Sequence, residues 1–145
     1  MTTVSRMDKL AIIIPVYNEG EIIESVICDW IDHVTRLKIL CTIKIYNDGS
    51  TDDTSKRCTK LQENHPELIQ LINKKNSGHG PTILQAYKDS FDVDWLFRVD
   101  SNNEISTSHF NDFWFERKSY DLLVGIRQRN TVHFTRKWVT AISNI

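Results

Sequence analysis

A chain of 145 residues, 40% hydrophobic and 26% charged, is long enough to bury one sizeable core and has the balance of an ordinary folded domain, not of a disordered or fibrous one. Its net charge of -1 excludes a polycationic surface for nucleic acid, so any phosphate it holds must be held by a local set of groups. No run approaches the ~20 apolar residues that cross a bilayer, and no leader is seen in Met1–Asp8; Cys28, Cys41 and Cys58, odd in number and without C-x-x-C spacing, point to reduced structural thiols in a cytoplasmic setting.

Leu10–Val16 is a near-continuous apolar run, the pattern of a parallel strand buried on both faces. Ile22, Ile23, Val26, Ile27, Trp30 and Ile31 then recur at helical spacing, with Asn18 and Glu21 arranged as a capping box. The alternation continues with a strand at Thr42–Tyr46, a helix at Thr51–Gln62 and a strand at Leu68–Ile72. A helix at Pro81–Ser90, with proline in its first turn, leads to a strand at Trp95–Val99, a helix at Ser108–Lys118 and a strand at Asp121–Ile126. The last stretch, Phe134–Ile142, has helical periodicity and no stop signal. Strands alternating with helices predict one α/β domain over residues 1–145, a mostly parallel sheet with helices on both faces.

In open α/β sheets ligands sit beyond the carboxyl ends of the strands. The unusual residues collect there: Pro15-Val16-Tyr17-Asn18-Glu19, Asn47-Asp48-Gly49-Ser50, Asn76-Ser77-Gly78-His79-Gly80, Asp100-Ser101-Asn102-Asn103-Glu104 and Gly125-Ile126-Arg127-Gln128-Arg129. Two readings stay open for Asn47–Thr54. It is a turn capped by Ser50, with Asp53 reaching back from the third helical position, or a nucleotide loop in which Asp48 accepts the N3–H of uracil. Gly78 and Gly80 either lead flexibly into a helix or let a nucleotide approach the backbone, and His79 is either exposed or a ligand. Asp100 and Asn102 offer oxygen ligands suited to Mg²⁺ or Mn²⁺ bridging two phosphates, with Glu104 acting through a water; the bland alternative is a polar turn capping the helix that begins near Ser106 or Ser108. Arg127 and Arg129 suit a diphosphate or a lipid-linked phosphate, against the alternative of a solvated basic face shared with His133, Arg136 and Lys137.

Taken together, I-P-V-Y-N-E at 14–19, N-D-G-S-T-D-D-T at 47–54, N-S-G-H-G-P-T at 76–82, V-D-S-N-N-E-I at 99–105 and Y-D-L-L-V-G-I-R-Q-R at 120–129 resemble successive motifs of family 2 glycosyltransferases, in the branch that includes polyprenyl-phosphate glycosyltransferases. The resemblance implies a GT-A fold and transfer of a hexose from a nucleoside-diphosphate sugar, UDP-linked, to a saccharide or lipid-phosphate acceptor. The setting implied is cell-envelope or polysaccharide biosynthesis at the inner face of the membrane, with peripheral membrane association. The nucleotide-binding set is then Pro15, Val16, Tyr17, Glu19, Asp48, Gly78, Gly80, Asp100 and Ser101, and Asp100 with Asn102 stands at the metal-binding D-x-D position. Asn102 departs from that pattern by removing a charge. The chain also stops before the region where inverting members place their general base, so a truncated enzyme with no assignable base is expected. The alternatives are a non-catalytic nucleotide-sugar-binding or scaffold module and a nucleotidyltransferase. The latter requires a glycine-rich, cationic loop after the first strand, where Asn18-Glu19-Gly20 offers one glycine and no cation.

Overall fold

The computed structural model describes residues 6–101, 106–126 and 139–144. In chain order the elements are β1 (Lys9–Val16), α1 (Ile23–Arg36), β2 (Leu40–Asp48), α2 (Thr54–Asn64), β3 (Ile69–Lys74), α3 (His79–Lys88), β4 (Trp95–Arg98), α4 (Thr107–Glu116), β5 (Leu122–Ile126) and β6 (Val139–Asn144). The strands form one sheet in the order β3-β2-β1-β4-β6-β5. The β3-β2-β1-β4 half is parallel throughout, and β6 runs antiparallel to both β4 and β5.

β1 explains why the sheet is built around it. All its residues after Lys9 are buried, and it pairs with β2 on one side and β4 on the other, so both faces of its Ile-rich run meet apolar neighbours. On one face Leu10, Ile12 and Ile14 pack with Ile43, Ile45 and Phe97 beneath α1, α2 and α4. On the other, Ala11, Ile13, Tyr46 and Leu96 pack against Ala86 of α3. Among the described residues, three helices cover one face and one covers the other.

Phe110 of α4 is fully buried, with its ring 5.6 Å from Trp30, 5.0 Å from Phe97 and 5.7 Å from Trp114. Edge-to-face pairs, as with Trp30 and Phe97, and stacked pairs, as with Trp114, add about 0.5–1.5 kcal/mol each beyond the area they bury. This cluster clamps α1 and α4 to the strand that delivers Asp100. Beside α3, the buried Lys44 donates to the Asp89 carbonyl (2.8 Å), just past the helix's carboxyl end, and to Ser90 Oγ (3.0 Å).

The end of the chain differs from the helical periodicity of Phe134–Ile142. Val139–Asn144 is instead a strand inserted between β4 and β5, with Phe97 and Leu123 both opposite Ile142. A short apolar run rich in β-branched residues satisfies either period, and two open strand edges decide the outcome. Residues 134–138 lie outside the described residues.

Candidate functional site

β1 and β4 are neighbours, yet the chain leaves β1 for β2 on one side and reaches β4 only after β3, so the sheet reverses its order between them. Such a reversal leaves a crevice at the carboxyl ends of the strands. A cleft of about 600 Å³ lies there. Pro15, Val16, Tyr17 and Glu19 line it from the end of β1, Asp48 from β2, Gly78 from the β3–α3 turn, and Asp100 and Ser101 from β4. Asn76, His79 and Thr82 complete the described wall. Gly80 sits inside the first turn of α3, outside that lining. Asn102, Arg127 and Arg129 lie outside the described residues, as do Glu104, His133, Arg136 and Lys137.

The Asn47–Thr54 segment works as a staple between two loops. Ser50 Oγ accepts from Asn18 N (3.0 Å), Thr54 Oγ1 from Glu19 N (2.9 Å) and Asp52 Oδ2 from Gly20 N (3.1 Å), while Asn18 Oδ1 accepts from Thr51 N (2.8 Å). Both capping expectations are thereby corrected. Asn18 takes a left-handed φ of 54° and bonds the neighbouring loop, not α1, whose N-cap Ile22 makes no side-chain cap bond. Ser50 likewise does not cap α2, which begins at Thr54. The loop amides found better acceptors across the cleft wall than along their own chain. Gly49 makes the turn possible, since its φ is +72° and a Cβ there would stand 2.7 Å from Asn76 N. At the start of α4 the cap is Ser106, whose Oγ accepts from Ser108 N (3.3 Å); residues 102–105 of the fourth segment lie outside the described residues.

Asp48 is 5% exposed and organises the third loop. Its Oδ1 accepts from Lys74 Nζ and from Ser77 N (2.9 Å), and its Oδ2 from Gly78 N (2.8 Å). Burial pushes its pKa up, but Lys74, the Ser77 amide, Thr82 and the Gly78 amide outweigh that and hold the carboxyl below its usual range. Lys74 Nζ also donates to Ser77 Oγ (2.6 Å) and Thr82 Oγ1 (3.1 Å), so one ammonium gathers β2, the turn and α3. Sequence reasoning missed Lys74. Its signal was register: Lys74 ends β3 directly opposite Asp48 at the end of β2.

At the other side of the cleft stands Arg98, a residue that the sequence places within an otherwise apolar strand. A charged residue within Trp95-Leu96-Phe97-Arg98-Val99 was the available hint. Its Nη1 lies 3.1 Å from His79 Nε2 and 3.4 Å from Asp100 Oδ1. That Oδ1 is buried and accepts no hydrogen bond from the described residues, since the 3.4 Å approach of Arg98 is an ion pair without hydrogen-bond geometry. A carboxylate with spare acceptor capacity at a nucleotide-sized cleft fits Mg²⁺ or Mn²⁺, which bind through one or two carboxylates plus substrate phosphates. No cluster of three acidic, His or Cys ligands occurs among the described residues, so such an ion would lean on the phosphates.

The sequence model described as Glycosyl transferase family 2 matches residues 11–142. The chain is 25% identical over 134 residues to undecaprenyl-phosphate 4-deoxy-4-formamido-L-arabinose transferase of Proteus mirabilis, an alignment covering 90% of this chain and 40% of that protein. Its fold is similar to that of S. aureus TarS in complex with UDP-GlcNAc, with a TM-score of 0.64 at 19% identity over 88% of this chain and 37% of that one. It is also similar to glucosyl-3-phosphoglycerate synthase of Mycobacterium tuberculosis in complex with Mn²⁺, uridine diphosphate and phosphoglyceric acid, with a TM-score of 0.61 at 19% identity over 79% of this chain and 42% of that one. The chain thus spans less than half the length of each of these proteins.

Proposed function

Since the chain belongs to glycosyl transferase family 2 and has the GT-A arrangement of its structural neighbours, we propose that it is the nucleotide-sugar-binding part of a hexosyltransferase. The donor is a UDP-linked sugar and the acceptor a lipid phosphate or saccharide, in line with the undecaprenyl phosphate named for the Proteus mirabilis relative. A lipid-phosphate acceptor would bring the protein to a membrane surface. Among the described residues no helix is long and apolar enough to cross one. The observation that carries the reading is that Tyr17, Asp48 and Asp100, at the ends of β1, β2 and β4, line one cleft at the sheet's reversal point.

Tyr17, half exposed at the cleft mouth, offers a ring face to a base, and the Pro15–Glu19 loop beneath it is held rigid by the hydroxyls and carboxylates of the 50–54 turn. Asp48 Oδ2 has one bond, from Gly78 N, and keeps a lone pair for the N3–H of uracil, where cytosine and adenine present a ring nitrogen without a proton. Asp100, with Asn102 two residues on, would hold a divalent ion. When bound, that ion supplies Lewis-acid neutralisation of the leaving diphosphate. Arg127 and Arg129 are proposed to meet the diphosphate or the acceptor phosphate. No residue is assigned as general base. The alternative of a non-catalytic nucleotide-sugar-binding module rests on Asn102, which leaves one carboxylate where two would hold the metal more firmly.

Calorimetry with UDP, GDP, CDP and ADP, each with Mn²⁺, tests the reading. UDP should bind at least about tenfold more tightly than CDP or ADP, and Asp48→Ala should weaken it by roughly ten- to a hundredfold, the worth of a charged acceptor bond. Equal affinity for UDP and ADP, or an unaffected Asp48→Ala, would remove the assignment. Binding without transfer to any acceptor would leave the module reading.

A further inference from the structure

We propose that Lys74 sets the base specificity of this cleft: by pairing with Asp48 it keeps that side chain an acceptor only, so that the pocket takes uracil and turns cytosine away. This role rests on the uridine reading of the cleft and adds to it the residue that decides between the two pyrimidines.

Lys74 ends β3 at the register position beside Asp48, which ends β2, and the two form an ion pair with side chains 12% and 7% exposed. Its Nζ also donates to Ser77 Oγ (2.6 Å), Lys75 O (3.0 Å) and Thr82 Oγ1 (3.1 Å). An ammonium has three protons, and these four protein oxygens share them. Lys74 therefore has none to spare for a base; it acts through Asp48 and is a positioning residue. On the carboxylate, Oδ1 takes Lys74 and the Ser77 amide, whereas Oδ2 accepts from Gly78 N alone (2.8 Å). Oδ2 is thus the oxygen with a lone pair for a ligand, on a side chain that lines the cleft.

Uracil and cytosine share one ring size and differ at the edge that meets Asp48. Uracil presents N3–H there and cytosine a bare N3. A carboxylate oxygen can only accept, so it bonds the uracil proton and opposes the cytosine lone pair. A protonated carboxyl does the reverse, since its O–H can donate to cytosine N3. Base choice therefore follows the proton on Asp48. Burial pushes this carboxyl towards the protonated form, and Lys74 comes first among the groups that outweigh burial, ahead of the Ser77 amide. The other titratable groups on the wall are Tyr17 and Glu19 after β1, His79 of α3 and Asp100 after β4; none of them is bonded to Asp48 among the described residues. Without the ammonium, Asp48 is a buried carboxyl held by two backbone amides and no cation, and it takes up a proton as pH falls.

UDP and CDP, each with Mn²⁺, are titrated by calorimetry into the wild-type chain, Lys74→Met and Lys74→Arg from about pH 8 to about pH 5.5, above the ordinary carboxyl range. The quantity read is the ratio of UDP to CDP affinity, from which the diphosphate, the metal and His79 cancel because both ligands share them. In wild type the ratio should be at least about tenfold and constant across the window. In Lys74→Met it should fall by about tenfold or more towards low pH, with UDP weakening and CDP strengthening as Asp48 gains its proton. Lys74→Arg, which keeps the cation, should hold a flat ratio within about threefold of wild type. If Lys74→Met weakens both nucleotides alike at every pH, or changes neither, Lys74 only staples the loop and the proposal is overturned while the cleft remains a uridine site. Should Lys74→Met fail to fold, Lys74→Gln takes its place with the same expectation, and a wild-type ratio that already falls across the window overturns the proposal by itself. Wild type that binds UDP and CDP equally, or does not bind UDP, overturns the uridine reading, and this role with it.

Discussion

At the scale of single residues, Asp48 shows how one carboxylate serves structure and recognition together. Its two oxygens receive Lys74 Nζ and the Ser77 and Gly78 amides, so the loop that shapes the cleft is hung from the end of β2. A carboxyl held below its usual pKa in the folded chain stabilises the fold fully above the unfolded value of about 3.9, and that contribution is lost as pH falls through the lower folded value. Urea unfolding of wild type and Asp48→Asn should therefore show a stability gap that is constant near neutrality and shrinks below about pH 4. A gap unchanged down to pH 3 would mean that the carboxylate's charge is not what holds the loop. Asp48 was legible from the sequence because it follows an apolar run directly; Lys74 and Arg98 were not, because their partners are 26 and 19 positions away and are chosen by strand register and helix placement.

Between elements, the turn that leads into α2 holds the loop that follows β1. Thr54 is fully buried, accepts from Glu19 N at 2.9 Å and donates to Asp52 Oδ1 at 2.5 Å, while Asp52 in turn takes Gly20 N. Thr54→Val preserves the shape and removes both bonds, leaving the Glu19 amide without its acceptor. The expected loss is about 1–3 kcal/mol of stability, with UDP affinity falling because the Pro15–Glu19 wall is released. Chemical denaturation and UDP calorimetry on the same variant check the two effects. A variant as stable as wild type would show that the staple is incidental. The sequence announced a capped helix at both Asn18 and Ser50, and the cap-forming side chains are indeed used, but on each other's loops. Local spacing identifies a side chain able to accept an amide; it does not say which amide is nearest once two strands lie side by side.

For the whole molecule, the cleft depends on a sheet clamped from both faces. Phe110, at the centre of the rings of Trp30, Phe97 and Trp114, joins α4 to α1 and to the strand that carries Asp100. Phe110→Ala should cost about 3–5 kcal/mol, in a single cooperative transition, because the cavity would open in the core shared by both helices and the sheet. A loss below about 1 kcal/mol, or two separate transitions, would mean that α4 is a loosely attached unit. What the sequence by itself determined was the alternation of strands and helices and the chemistry at the strand ends, since apolar period and residue type are local properties. Tyr17, Asp48, Gly78 and Asp100 were readable in this way, and all line one cleft. Tertiary structure alone decided the rest: that β6 enters between β4 and β5 despite its helical periodicity, that the Asn47–Thr54 turn caps a neighbouring loop, that Lys74 stands beside Asp48, and that Arg98 meets His79. The physical reason is the same in each case. Hydrogen bonds and ion pairs go to whichever partner the packed sheet brings within 3 Å or so, and that proximity is a property of register, which no single segment carries.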